Sequence, residues 1–151
     1  MKSGLLLCLV LLAVSFKFAA AQDDETALYS SSGTPVAYIS SESGDENPVI
    51  YMWSGKPVAY LSSTSGVGLS IYGFNGKHLG WFVKGVMRDH DGDAACGVRS
   101  VVNSPKAEPF KAFKQFKPFK AFKQFEPARP SFSQKWSPTT CSVFLFEGAS
   151  A

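Results

Sequence analysis

The sequence predicts an all-β domain of four short β-hairpins in a pseudo-four-fold arrangement, followed by an extended segment. Three observations support this architecture. A hairpin-like segment recurs four times between residues 26 and 98, and a glycine marks the turn of each copy. Residues 110–125 then place phenylalanine at every third position. Internal repeats of this kind are typical of folds in which each unit buries its apolar face against its neighbours.

The N-terminal residues have the composition of an export signal. Lys2 supplies a positive charge, Leu5 to Val14 form an apolar core, and the small residues of "AAAQ" predict cleavage after Ala21. The apolar run is shorter than the roughly 20 residues that span a bilayer, so an uncleaved anchor is the less favoured alternative. We expect a secreted or periplasmic protein with a signal peptide over 1–21 and a short linker over 22–25.

The four repeated segments each predict a strand, a tight turn and a second strand. They are "YSSSGTPVAYI" from Tyr29, "YMWSGKPVAYL" from Tyr51, "YGFNGKHLGWF" from Tyr72 and "RDHDGDAACGV" from Arg88. Their turn pairs are Ser32-Gly33, Ser54-Gly55, Asn75-Gly76 and Asp91-Gly92. Asn-Gly and Asp-Gly favour a two-residue type I′ turn, in which both residues have positive φ. We therefore predict a hairpin domain over 26–100.

Aromatic residues hold equivalent positions in these repeats. One set is Tyr29, Tyr51 and Tyr72, and the other is Tyr38, Tyr60 and Trp81. Repeat symmetry favours a buried layer to which each hairpin contributes the same residue. The alternative is an exposed ring of aromatic side chains that stacks on sugars or peptides.

The repeats also resemble a known family. "SSGTPVAYI", "YMWSGKPVAYL" and "IYGFNGKHLGWF" followed by "DHDG" are similar to the bacterial 4-fold beta flower domain, as is the ending "PSFSQKWS". The resemblance covers roughly residues 26–146 and implies hairpin petals around a central axis, without an established activity. The fourth petal departs from the pattern, because Arg88 replaces an aromatic or aliphatic residue and "AACG" is less hydrophobic.

The Phe/Lys segment, residues 101–130, has a strict three-residue period. Phenylalanines spaced this way would circle an α-helix completely, whereas a polyproline II conformation has three residues per turn and aligns them on one ridge. Prolines at 109, 118 and 127 fit that conformation. The ridge comprises Phe110, Phe113, Phe116, Phe119, Phe122 and Phe125, and a second ridge comprises Lys111, Lys114, Lys117, Lys120 and Lys123.

Two interpretations of this segment follow from its charge. Residues 22–100 hold nine acids and five bases, a balance of −4, whereas residues 101–151 hold three acids and eight bases, a balance of +5. The segment would wrap the domain with phenylalanines inward and lysines outward, and residues 131–151 would pack on or near it. Alternatively, the lysines contact an anionic cell-envelope polymer, lipid or protein partner while the phenylalanines insert. Peripheral membrane contact fits this alternative, and export argues against nucleic acid.

One dense polar cluster, "RDHDGD", is the main candidate for chemistry. Asp89, Asp91 and Asp93 recur at alternate positions, but no EF-hand spacing follows, so a fourth hairpin turn is favoured over a weak cation site. The two histidines, His78 and His90, have no helical zinc-binding spacing, and no nucleophile-elbow motif occurs. We therefore expect no metal and no cofactor.

The two cysteines of the mature chain leave two states open. Cys96 and Cys141 form a disulfide, which export permits, or remain thiols. Together the observations predict an exported bacterial, non-enzymatic protein with a structural or binding role. A cell-envelope-binding protein that uses the Phe/Lys segment is the alternative, and a hydrolase that uses the Asp89–Asp93 turn is the second alternative.

Overall fold

The computed structural model describes residues 24–151, so the predicted signal peptide and its cleavage site lie outside the described residues. Eight antiparallel strands form a closed barrel, in which each strand pairs with the next and the last pairs with the first. The predicted all-β class is confirmed. The strands are β1 (Asp24–Tyr29), β2 (Pro35–Ser41), β3 (Val49–Met52), β4 (Pro57–Ser63), β5 (Leu69–Gly73), β6 (His78–Val83), β7 (Val86–Arg88) and β8 (Ala94–Val98).

The four predicted hairpins are the pairs β1–β2, β3–β4, β5–β6 and β7–β8. Their turns differ from the predicted type I′ geometry. In the second turn the Gly55 amide donates to the carbonyl of Met52, and the Met52 amide donates to the carbonyl of Lys56, both at 2.8 Å. Gly55 has a φ of 86°, but Ser54 is not left-handed. The loop therefore has three residues and ends in a glycine bulge, which needs only one positive φ.

Side chains alternate between the two faces of the barrel wall. Ile39, Ile50, Leu61 and Ile71 belong to one buried cluster that also includes alanines at equivalent positions of the petals, Ala37 and Ala59. Tyr38, Tyr51, Tyr60 and Tyr72 belong to a separate buried cluster. Because successive residues of a strand point to opposite faces, the aliphatic cluster fills the barrel and the tyrosines lie outside it.

A short C-terminal helix, α1 (Cys141–Phe146), completes the aliphatic core. Phe144 and Leu145 are buried in the same cluster as the barrel interior. The Thr140 hydroxyl accepts a hydrogen bond from the Val143 amide and caps the helix. Beyond the helix, the Asn75 side-chain amide donates to the carbonyl of Glu147 at 2.7 Å, so this end of the chain is joined to the third turn.

A disulfide joins the helix to the barrel wall. Cys96 of β8 and Cys141 of α1 are bonded, with their Cα atoms 5.0 Å apart. The preceding residues also pair with β8, because the Ala94 amide donates to the carbonyl of Lys135 at 3.0 Å and Ser137 donates back to Ala94 at 2.8 Å. Within residues 24–151, no helix is long and apolar enough to span a bilayer.

Candidate functional site

The Phe/Lys segment crosses the four hairpin turns in sequence. After the 3₁₀ turn Arg99–Val101, residues 105–133 form no helix or strand. Backbone amides donate to the carbonyl oxygen of each turn glycine at 2.8–3.0 Å: Lys106 to Gly33, Gln115 to Gly55, Gln124 to Gly76 and Ser133 to Gly92. Nine residues separate successive donors, so one nine-residue unit of the segment covers one petal.

The lysine side chains of this segment turn toward the barrel. Lys111 forms an ion pair with Glu25 at 2.5 Å, Lys114 with Glu42 at 2.7 Å, and Lys117 with Asp45 at 2.5 Å. Two further ammonium groups bind neutral oxygens, Lys120 the side chain of Asn47 and Lys123 that of Ser62. The five lysines proposed as contacts for an anionic partner therefore face the chain's own acceptors.

The expectation of inward phenylalanines and outward lysines is wrong. All six phenylalanines of the ridge are 98–102% exposed, whereas the side chains of Lys111, Lys114, Lys117 and Lys120 are 22–35% exposed. The segment wraps the domain, as the first of the two interpretations predicts. Its lysines face the barrel and its phenylalanines face outward, which is the opposite of the predicted orientation. The side chains still follow a period of three, as a polyproline II conformation predicts.

Aromatic rings beneath the segment explain this orientation. Tyr38 of β2 lies opposite Tyr51 of β3, and Tyr60 of β4 opposite Tyr72 of β5. The ammonium groups lie over these rings, with Lys111 4.7 Å from the Tyr38 centroid and Lys120 4.4 Å from the Tyr60 centroid. A cation over a π face near a carboxylate gains from both contacts, so the grooves between petals favour lysine over phenylalanine.

The charges in these grooves support one another. Burial alone would raise the pKa of Glu25, but hydrogen bonds from Lys111 and Lys114 outweigh it and lower that pKa. Burial alone would likewise lower the pKa of Lys114, whereas its hydrogen bonds to Glu42 and Glu25 raise it. Both shifts favour the charged forms, so the segment is held to the barrel at neutral pH.

The groove between the third and fourth petals has a different composition. Trp81 of β6 faces Arg88 of β7, whereas the first two grooves each pair two tyrosines. Arg129 lies over the Trp81 ring at 5.6 Å. The guanidinium groups of Arg88 and Arg129 lie 5.3 and 5.7 Å from the centroid of the Phe132 ring. Arg88 also donates to the carbonyl of Ser133 at 2.5 Å. In this groove Arg88 of the barrel thus binds the segment, whereas in the first two grooves lysines of the segment bind the barrel.

The aspartate cluster forms the fourth hairpin turn. The Asp89 carboxylate accepts from the amides of Asp91 and Asp93 at 3.0 and 2.9 Å, and Asp93 accepts from the Ser133 hydroxyl at 2.6 Å. The Asp89 carboxylate therefore stabilises the turn, and the Asp93 carboxylate binds the segment to it. Among residues 24–151 there is no group of three histidine, cysteine or acidic side chains that could hold a metal.

A histidine pair was missed by the sequence analysis. His78 Nδ1 lies 3.0 Å from His90 Nε2, and His78 Nε2 lies 3.3 Å from the Ser70 hydroxyl. Burial and the neighbouring His90 lower the pKa of His78 to about 4. The order serine, histidine, histidine resembles a nucleophile with its base, but Ser70 is completely buried. The Ser70 hydroxyl therefore has no access to a substrate in this arrangement.

Comparison with known proteins supports the architecture. The family described as 4-fold beta flower protein matches residues 22–145, which is most of the chain. No curated protein and no solved structure matches this chain. The chain therefore belongs to the 4-fold beta flower family, as its repeated segments indicated.

Proposed function

We propose that this 4-fold beta flower protein is an exported bacterial, non-enzymatic scaffold that displays the phenylalanine ridge to an apolar partner. The observation that carries the proposal is the complete exposure of Phe110, Phe113, Phe116, Phe119, Phe122 and Phe125 on a backbone fixed at every petal. The barrel acts as the platform, and the lysines act as its internal attachment.

The energetics of the ridge favour a binding role. Burying a phenylalanine side chain contributes roughly 1.5–3 kcal/mol, which six side chains here do not gain from the fold. Contiguous exposed apolar surface is uncommon in monomeric proteins and marks interaction sites. An extended segment with inward lysines holds these rings outward at a fixed three-residue interval, which an unattached chain would not do.

The positions of the lysines distinguish this proposal from binding to an anionic polymer. Such binding would need free ammonium groups on the outer face, but Lys111, Lys114 and Lys117 are ion-paired with Glu25, Glu42 and Asp45. Partner binding through the ridge should therefore not weaken as salt rises, because burial of apolar surface is not screened and sulfate strengthens it. Binding through lysine would weaken as salt rises.

Retention on phenyl-agarose tests whether the ridge is available to an apolar partner. We expect Phe116→Ser with Phe119→Ser to reduce retention of the mature protein and to leave its melting temperature unchanged. Ala112→Ser with Ala121→Ser is the matched control, since both alanines are exposed on the same segment and their amides bind the barrel through the backbone. Equal retention of the two double variants, or a lower melting temperature of the phenylalanine variant alone, would refute the proposal.

A further inference from the structure

We infer that the groove between the second and third petals binds a small dicarboxylate through Lys120 and Lys123. This site goes beyond the proposed function, which concerns the outward phenylalanines. Three observations carry the inference: the comparison with the equivalent first groove, the unused hydrogen-bond donors of the two lysines, and a cavity beside them.

The first two grooves are built from equivalent residues. Each contains two tyrosine rings from neighbouring petals, with centroids 5.6 Å apart in the first groove and 6.2 Å apart in the second. Over these rings lie two lysine ammonium groups, supplied by successive nine-residue units of the segment. Lys111 is equivalent to Lys120, and Lys114 to Lys123.

The two grooves differ in their carboxylates. Glu25 and Glu42 pair with the lysines of the first groove. Asn47 and Thr64 follow these glutamates by 22 residues, the spacing of the first two petals, so neutral side chains hold the equivalent positions in the second groove. The Thr64 hydroxyl donates to Glu126. The second groove therefore repeats the two lysines of the first groove without its two carboxylates.

The lysines of the second groove also keep unused donors. A lysine ammonium has three N–H donors. Lys114 directs them to Ser40 at 2.8 Å and to the two carboxylates of the first groove at 2.7 and 3.1 Å. Its counterpart Lys123 donates to Ser62, the equivalent of Ser40, at 3.1 Å, and it forms no ion pair with any residue between 24 and 151. Two of its donors are thus available to a ligand.

The charge of Lys120 is only weakly neutralised. Its ammonium donates to the side-chain oxygen of Asn47 at 2.7 Å. Its ion pair with Glu46 is 4.0 Å long, and the Glu46 side chain is 89% exposed. An exposed pair at that distance contributes little. Two cationic groups in one groove, each with donors to spare, favour a ligand that carries anionic oxygens.

A cavity gives such a ligand room. It has a volume of about 280 Å³, close to the lower end of small-molecule pockets, about 300 Å³. Its lining includes Asn47, Tyr60, Lys120 and Lys123. A short molecule with two carboxylates would supply there what two glutamates supply in the first groove. A larger cavity of about 480 Å³ at the first groove is lined by Glu42, whose charge would repel the same ligand.

Isothermal titration calorimetry of the mature, disulfide-bonded protein with succinate tests the inference, at constant ionic strength because exposed charges are screened by salt. We expect Lys120→Gln with Lys123→Gln to weaken binding at least about tenfold, since hydrogen bonds between charged groups are lost. Lys77→Gln with Lys84→Gln, which removes two exposed lysines elsewhere, should bind as the wild type does. Equal affinities of the two double variants, or no binding of succinate to the wild type, would overturn the inference.

A second variant excludes displacement of the segment as the cause. Asn47→Glu gives the second groove the carboxylate that Glu25 supplies to the first, so it should weaken succinate binding at least about tenfold without lowering the melting temperature. Succinate binding that survives Asn47→Glu would place the ligand elsewhere and overturn the site. Propionate or sulfate that binds as tightly as succinate would overturn the assignment to a dicarboxylate.

Discussion

His78 occupies the position that Pro35 and Pro57 hold in the first two petals. Instead of a proline ring, it places an imidazole under the segment, where it contacts the rings of Tyr72, Trp81 and His90. Only 3% of the residue is exposed. A protonated imidazole would lose hydration there and would face a second histidine, so this position favours the neutral form.

The stability of the protein should therefore fall in mild acid. The pKa of His78 drops from 6.5 to about 4 on folding, so the unfolded chain binds more protons below pH 6.5. The contribution of the neutral imidazole is complete above pH 6.5 and is lost as the pH falls toward 4, by up to about 3 kcal/mol. Urea denaturation across this range should show the loss, and His78→Gln should flatten it. The same slope in His78→Gln would assign the effect to other groups.

The turn glycines have a second role besides their backbone conformation. Gly55 has a φ of 86°, and a Cβ atom there would also meet the carbonyl oxygen of Phe113. Equivalent carbonyls of the segment, at 104, 122 and 131, lie against Gly33, Gly76 and Gly92. Each turn glycine therefore adopts a left-handed conformation and also leaves room for the backbone of the segment. A residue with a Cβ atom would be strained in the first respect and would clash in the second.

A pair of alanine substitutions separates these two roles. Gly44→Ala adds only the left-handed strain of about 1 kcal/mol, because a Cβ atom at Gly44 has open space around it. Gly55→Ala adds the same strain and also displaces the backbone at Phe113, so we expect a clearly larger loss of unfolding free energy. Chemical denaturation measures both. Equal losses of unfolding free energy in the two variants would show that the segment moves away from the Gly55 turn without destabilising the protein.

At the scale of elements, the hairpins were predictable and the orientation of the segment was not. Alternation in the strands and glycine spacing depend on neighbours within one repeat, so β1 to β8 follow from local sequence. The three-residue period shows which side chains share a ridge, but not which ridge meets the barrel. That choice depends on grooves formed by Tyr38 with Tyr51 and by Tyr60 with Tyr72, which exist only after strands of different petals pair.

The histidine pair escaped prediction for a similar reason. His78 begins β6 and His90 lies in the turn between β7 and β8, twelve residues apart. Their contact depends on the antiparallel pairing of β6 with β7, which brings Trp81 opposite Arg88. Sequence spacing excluded a helical zinc-binding pair and indicated no other contact between the two histidines. The turn type was also mispredicted, since a serine or asparagine before glycine fits both two-residue and three-residue loops.

The disulfide should be the main attachment of helix α1. It closes a loop of 45 residues, for which the chain-entropy relation gives a stabilisation of about 4 kcal/mol. We expect Cys96→Ala with Cys141→Ala to lower the unfolding free energy by about 2–4 kcal/mol, measured by urea denaturation. Reducing agent should lower the wild type to the level of the variant. A variant as stable as the oxidised wild type would show that the packing of Phe144 and Leu145 suffices.

At the scale of the whole molecule, the nine-residue unit of the segment matches the four-fold repeat of the barrel. Each unit supplies a backbone amide to one turn glycine and cationic side chains to the neighbouring groove, and the first two grooves are occupied by lysine pairs. Arg129 and Phe132 occupy the third. The segment thus repeats with the same four-fold period as the barrel. Its cationic side chains and backbone amides bind it to the outer face of the barrel.

This arrangement predicts that the lysines stabilise the protein and the ridge phenylalanines do not. Replacing the five lysines 111, 114, 117, 120 and 123 by glutamine removes ion pairs and cation–ring contacts worth about 0.5–1 kcal/mol per lysine, so we expect a total loss of about 2.5–5 kcal/mol. Phe116→Ser with Phe119→Ser should change the unfolding free energy by less than about 0.5 kcal/mol, as fully exposed positions do. Urea denaturation gives both values.

Salt and protease distinguish attachment of the segment from general stability. The difference between wild type and the lysine variant should shrink as sodium chloride rises, because partly exposed ion pairs are screened. Chymotrypsin, which cleaves after phenylalanine, should cut the ridge of the lysine variant faster than that of the wild type, since cleavage needs a backbone released from Gly55 and Gly76. Equal cleavage rates would mean that the backbone hydrogen bonds hold the segment without its lysines.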